Sequence, residues 1–299
     1  MNRLFPALVL IVLMACGESK TKSEEQAFLE SLDSAESAQP EISEEVISDI
    51  MQQIPSPLEI SVLLKESGTS YKKDILNSTD NTENYNSSFK QALNLGIYGT
   101  DLGYTNIYEQ NQDGLFYLNS IKTLADALNI GQFFDFGTIR KLAANSQNLD
   151  SLLLITTLNF NNINHYLQTQ DRANLSILLL TGGWLEALHI SCQVYQQHPG
   201  DELKDKIGEQ KIIMENILLL LNAFQSTDPN IASLSADLDE LKSEFEKIEI
   251  IYTYQESTFE EIDGVLVIKD NSTTEINITE ENISNITRVT DKIRDKIIS

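Results

Sequence analysis

LSILLLTGGWLEALHISCQV, residues 175–194, sets the frame for everything around it. Wound as a helix, it presents apolar residues on nearly every side, so it reads as the central buried helix of a domain. It is also long enough to cross a bilayer. Glu186, His189 and the Gly182-Gly183 pair interrupt its apolar surface, and a core helix is the expectation. Glu186 and His189 stand at i and i+3 and share a face. A carboxylate at the centre of such a helix must be paired, protonated or bound to something. His189 is its nearest partner in sequence, so a polar pair inside the core is the first reading. Glu-x-x-His is also half of a ferritin-like di-metal site, which needs a second such motif and further carboxylates. Neither His165 nor His198, the other two histidines, follows a glutamate at that spacing. A single-metal enzyme built on Glu186 and His189 is the enzymatic alternative, without a His-Glu-x-x-His pattern behind it.

The next unusual segment is QALNLGIYGTDLGYTNIYE, residues 91–109. Gly96, Gly99 and Gly103 fall three and four apart along a helical stretch. Each glycine costs a helix about 1 kcal/mol relative to alanine, so the cluster implies that something approaches the backbone closely. A packed neighbouring helix is the plain reading and room for a ligand the sharper one. Asp101, Tyr104 and Tyr108 form a polar-aromatic stripe beside these glycines. Joined to Trp184, Glu186 and His189, they make the candidate ligand pocket.

The rest of the chain is mostly helical by its apolar period. A first helix begins at Ser43 with Val46, Ile47, Ile50 and Met51, and Pro55-Ser56-Pro57 breaks it. A short helix over 58–64 ends near Gly68, and the Asn/Ser/Thr-rich residues 77–86 read as a loop. Helices are expected over 87–109, 114–129, 133–144, 149–169, 171–197 (Asp171 as N-cap), 202–225 and 231–254. Their lengths and short connections suit an irregular helical bundle or stacked helical hairpins. Toward the end, Val265–Lys269 and Glu275–Thr279 read as a β-hairpin around a polar turn. Thr279 then caps a final helix over 280–298 with the stripe Ile283, Ile286, Val289, Ile293 and Ile297. The expected fold is all-α, with a small C-terminal β-hairpin over 265–279 and a closing helix. The tetratricopeptide signature is absent.

Composition and the N-terminus bear on location. The formal charge is −24 with a pI near 4.3. So acidic a chain repels phosphate backbones and anionic headgroups, and no nucleic-acid partner is expected. Arg3 precedes an apolar run, Leu4 to Met14, of signal-peptide length. Leu13-Met14-Ala15-Cys16 resembles the lipobox of bacterial lipoproteins. The resemblance implies cleavage after residue 15, acylation of Cys16 and attachment to a membrane through the acyl chains. Gly17, rather than the aspartate that retains enterobacterial lipoproteins at the inner membrane, favours the outer membrane. Either a periplasmic or a surface-exposed body is compatible with it. Residues 16–42 are Ser-, Glu- and Lys-rich and read as a flexible acidic tether, with a reach of roughly 25–30 Å. Asp33-Ser34-Ala35 resembles an O-glycosylation signal of some Bacteroidota. Asn271 and Asn277 open Asn-x-Ser/Thr sites, which carry little weight in a bacterial protein. With Cys16 acylated, Cys192 is left alone and no intramolecular disulfide forms. Cys192 sits in an apolar stretch and reads as a small buried hydrophobe.

No Gly-x-Ser-x-Gly, phosphate-binding loop, Gly-x-Gly-x-x-Gly or Cys-x-x-Cys is present, so hydrolase, nucleotide and redox readings lack their usual supports. No cofactor is expected. Ile54-Pro55-Ser56-Pro57-Leu58-Glu59, the run from Ala92 to Tyr104, and Gly182-Gly183-Trp184-Leu185-Glu186-Ala187-Leu188 together resemble an uncharacterised family of Bacteroidota lipoproteins. The resemblance implies lineage and envelope location, with no activity attached. The expectation is a lipid-anchored envelope protein that binds a partner or small ligand and catalyses nothing. A structural subunit of an envelope assembly and the Glu186/His189 metal enzyme are the alternatives.

Overall fold

The computed structural model describes residues 68–143, 149–262, 265–269 and 271–299, with Val46, Ile50 and Leu64. The expected leader, the lipidation site at Cys16, the tether and the Pro55-Ser56-Pro57 break lie outside the described residues. Two 3₁₀ turns, Lys73–Ile75 and Thr79–Asn84, lead into the helices. These are α1 (Ser88–Ile107), α2 (Asn111–Ala127), α3 (Phe136–Ala143), α4 (Leu149–Thr169), α5 (Ala173–Gln197), α6 (Asp201–Asn222) and α7 (Pro229–Phe245). Four strands follow, β1 (Glu249–Thr253), β2 (Thr258–Ile262), β3 (Val265–Lys269) and β4 (Thr273–Asn277), and α8 (Glu280–Ile298) closes the chain. The architecture is therefore all-α with a small β element before the last helix, as the apolar period predicts.

Helix α5 is the core. Its apolar window is long enough to cross a membrane, and 94% of that window is buried inside the protein. The two glycine-bearing segments are the reason α1 and α5 lie so close. A Cβ on Gly96 would stand 2.0 Å from the Leu179 carbonyl oxygen, and one on Gly182 would stand 2.0 Å from that of Leu93. The backbones touch there, and Thr100 Oγ1 donates across the crossing to the Gly183 carbonyl at 3.0 Å. The packing reading of the glycines holds at Gly96, which faces a neighbouring helix. Gly99 has nothing within 4 Å of a Cβ.

Three helix ends close in the same way. Glu109, Asn129 and Asp171 adopt positive φ of 58°, 60° and 55°. The next residue in each case donates back five positions: Gln110 to Thr105, Ile130 to Ala125 and Arg172 to Leu167, at 2.8–2.9 Å. This 6→1 bond is the mark of a Schellman ending. Asp171 thus terminates α4 and does not cap α5, whose N-cap residue is Arg172. Pairing of the orphan carbonyls of α4 decides the matter against side-chain capping preference. Elsewhere the local signals hold. Asp228 accepts from Asn230 N at 2.9 Å ahead of Pro229, and Thr279 and Asn282 form a capping box on α8. Every member of the α8 stripe, Ile283 to Ile297, is buried.

The β region departs from expectation. Helix α7 stops at Phe245 instead of running to 254, because residues 249–253 are taken as a strand. Val265–Lys269 and Glu275–Thr279 do not pair with each other. β3 pairs antiparallel with β2, Phe259 opposite Ile268, and β4 pairs antiparallel with β1, Tyr252 opposite Thr274. Four residues separate β1 from β2 and three separate β3 from β4. The first strand therefore carries one extra residue, the arithmetic of a β-bulge. Side chains join the two ladders across this gap. Gln255 N and Ser272 Oγ lie 3.3 Å apart, and Asn271 Nδ2 donates to the Glu256 carbonyl at 2.8 Å and to Thr258 Oγ1 at 3.2 Å. The result is one long two-stranded arm. Its base is held on α6 by Ile276 against Gly208 and by Lys211 Nζ donating to the Ile248 carbonyl at 2.7 Å.

Candidate functional site

The polar residues in the middle of α5 are buried. Glu186 has no solvent exposure, and its partner is not His189. Arg294 of α8 grips both carboxylate oxygens, Nε to Oε2 at 2.5 Å and Nη2 to Oε1 at 2.7 Å. This is the fork geometry that makes arginine the preferred buried partner of a carboxylate. Burial works against the guanidinium charge. The Glu186 carboxylate and its hydrogen bonds outweigh that and hold Arg294 above its ordinary proton affinity. His189 turns to Asp291, Nδ1 to Oδ1 at 2.7 Å, and Nε2 donates to the Ile75 carbonyl at 2.9 Å. The two pairs are a register. Glu186 and His189 lie i, i+3 on α5, and Arg294 and Asp291 lie at the same spacing, in reverse order, on α8. Arg294 Nη2 also donates to the Ile75 carbonyl at 3.1 Å. One carbonyl therefore ties the segment ahead of α1 to both pairs.

Asp101 joins this cluster from α1. It is fully buried and beside Glu186, and burial together with that neighbouring negative charge raises its pKa well above the ordinary carboxylate range, against a smaller opposing pull from Arg294. The shift favours the protonated form of Asp101. Its Oδ1 has no hydrogen-bond partner. Oδ2 accepts from Asn77 N at 3.3 Å. Asn77, also without exposure, bonds to Tyr85 Oη and Asn94 Oδ1 and receives Tyr117 Oη on its carbonyl at 3.0 Å. Read in sequence as part of a loop, Asn77 is a hub of the interior. Arg294 is thus set beside two buried carboxyl groups, Glu186 and Asp101.

The protonation of Asp101 has a measurable sign. Folded Asp101 keeps its proton at pH values where the unfolded chain has released it. Its contribution is fully present below about pH 4 and is lost as pH rises toward the folded value. Asp101→Asn keeps a neutral group in place and offers Glu186 an N–H. In urea titrations between about pH 5 and 8, wild-type stability should fall relative to Asp101→Asn by up to about 1.4 kcal/mol per pH unit. A difference between the two proteins that stays flat with pH would mean that Asp101 is ionised when folded.

The six expected pocket residues do not converge on one space. Asp101, Glu186 and His189 share the cluster just described. Trp184 faces elsewhere, donating through Nε1 to Gln210 Oε1 of α6 at 3.0 Å. Tyr104 and Tyr108 pack with Tyr71, ring centroids 4.8–6.1 Å apart, and fasten the chain ahead of α1. Tyr104 Oη accepts from Lys72 N at 3.3 Å, and Tyr108 Oη donates to the Leu64 carbonyl at 3.2 Å. As metal ligands Glu186 and His189 are already engaged, and among the described residues no group of three or more His, Cys, Asp or Glu is placed to hold an ion. Cys192 is buried, and burial pushes its thiol up to about 12, which fits the small-hydrophobe reading.

Sequence reasoning missed Arg294, although a signal was present. Along Ile283, Thr287, Thr290, Arg294 and Ile297 the spacing is that of one buried helix face, and Arg294 is the charge upon it. No family model, curated protein or solved structure matches the chain.

Proposed function

We propose that this chain is a lipid-anchored protein of the cell envelope, held at the outer membrane through Cys16, whose folded body acts by binding another protein. The lipobox-like Leu13-Met14-Ala15-Cys16 supports the anchor. The observation that carries the binding reading is where the molecule spends its polar and apolar groups. Glu186, His189 and Trp184, the residues best suited to a ligand pocket, are partnered within the chain. Large apolar side chains instead stand exposed on the C-terminal arm, among them Tyr252, Tyr254, Phe259 and Ile268. Contiguous exposed apolar patches mark interaction sites. They also suit a subunit of an envelope assembly.

The anchor is tested by metabolic labelling with an alkynyl fatty acid in a bacterial host, followed by membrane fractionation. Wild type should carry label and sediment with membranes. Cys16→Ala should lose the label and its membrane association. Label that persists in Cys16→Ala, or an unlabelled wild type in the soluble fraction, would refute the reading.

A further inference from the structure

The arm is built unlike the rest of the molecule. Among the described residues each of its ladders has only two strands, and neither pairs with a third. Unpaired strand edges are templates for pairing, and proteins normally blunt them with charge, proline or a covering element. Large apolar side chains also stand in water on these ladders. Tyr254 is 70% exposed, Phe259 67%, Ile268 66% and Tyr252 61%. Phe259 and Ile268 are directly opposed across β2 and β3, so they form a single apolar spot. The charge of this stretch of sequence is almost all of one sign. Residues 249–277 carry Glu249, Glu256, Glu260, Glu261, Asp263, Asp270 and Glu275 against Lys269 alone.

That charge selects the occupant. A second copy would bring the same acids against the same edge, on a body already at −24, and like charges set opposite each other across strands are destabilising. An anionic lipid surface is repelled for the same reason. An extended segment carrying lysine or arginine between apolar residues gains on every count. Its backbone pairs with the open edge, its apolar side chains cover the Phe259–Ile268 spot, and its cations meet the acids. Strand addition of this kind takes affinity from main-chain bonds and specificity from alternate side chains, while the charge steers encounter. We propose that the arm is a docking strand for an extended cationic segment of another protein. This rests on the reading of the chain as a binding protein and names the surface and the class of partner.

The test uses the full chain, purified in detergent, and a fluorescent octapeptide of alternating lysine and valine. A block peptide of the same composition is the control. The alternating peptide should bind with micromolar affinity, about tenfold tighter than the block peptide, and slow amide exchange within 249–277. Phe259→Ser/Ile268→Ser, which changes two exposed side chains and should leave the thermal midpoint in place, should weaken binding about tenfold. Equal binding of the two peptides, or exchange protection elsewhere on the body, would mean charge attraction without docking and overturns the proposal. So would arm-dependent self-association in sedimentation, or arm-dependent binding to vesicles. Fatty-acid labelling of the wild-type chain separates the two readings. Retained label with no arm binding removes the docking strand alone, and lost label removes the anchor alone.

Discussion

Arg294→Met should destabilise the domain by about 3–5 kcal/mol at neutral pH, the cost of leaving a buried charge without its partner. The removed guanidinium makes two bonds to Glu186 and one to the Ile75 carbonyl. Without it, two buried carboxyls face each other with no cation. Glu186 must then take up a proton to stay inside. Its folded pKa rises above the unfolded value near 4, so the penalty is absent below that pH and grows as pH increases. Denaturation of the variant at about pH 5 should therefore recover part of the loss seen at about pH 7.5. Removing the carboxylate as well, in Glu186→Met/Arg294→Met, should recover more than half of it, since apolar replacements of a buried pair are often neutral. Removing Glu186 alone is buffered, because Asp101 stands ready to ionise beside Arg294. A loss under 1 kcal/mol in Arg294→Met would be incompatible with a buried pair.

Gly182→Ala is expected to be, with Gly96→Ala, among the most damaging methyl additions at the described residues. Its Cβ would lie 2.0 Å from the Leu93 carbonyl oxygen. That atom is backbone and cannot rotate away. Helices α1 and α5 must part, stretching the Thr100–Gly183 bond and the reciprocal contact at Gly96. Overpacking typically costs 1–3 kcal/mol, and a backbone-on-backbone clash belongs at about the top of that range or above. Gly99→Ala is the matched control. The space beside it is open, and alanine gains up to about 1 kcal/mol in helix propensity. The two variants should differ by about 3 kcal/mol or more in urea unfolding. Similar midpoints for both would mean that the crossing of α1 and α5 yields to an added methyl.

Much of the fold is legible in the sequence because the signals are local. The all-round apolar surface of 175–194 marks a core helix, the glycines at 96, 99 and 103 mark a close approach to the backbone, and Thr279 marks the start of α8. The stripe of Ile283 to Ile297 gives the buried face of that helix from its spacing alone. Each of these depends on residues within a few turns of one another, and the physical chemistry of a helix end or face reaches no further.

The remainder depends on which distant segments meet. The run 249–253 is apolar enough to extend α7, and only pairing with 273–277 makes it a strand. Asp171 has a capping side chain, yet the bond from Arg172 to Leu167 places it at the end of the preceding helix. Above all, the residue pattern establishes that Glu186 is buried and needs a partner, and there its reach ends. The long-range packing makes that partner Arg294, 108 residues away, and not His189 on the same turn. A buried charge is satisfied by whatever fits its geometry and has lost its own water. The chain crossing that brings α8 against α5 supplies a bidentate guanidinium there, while His189 is drawn to Asp291 and the Ile75 carbonyl.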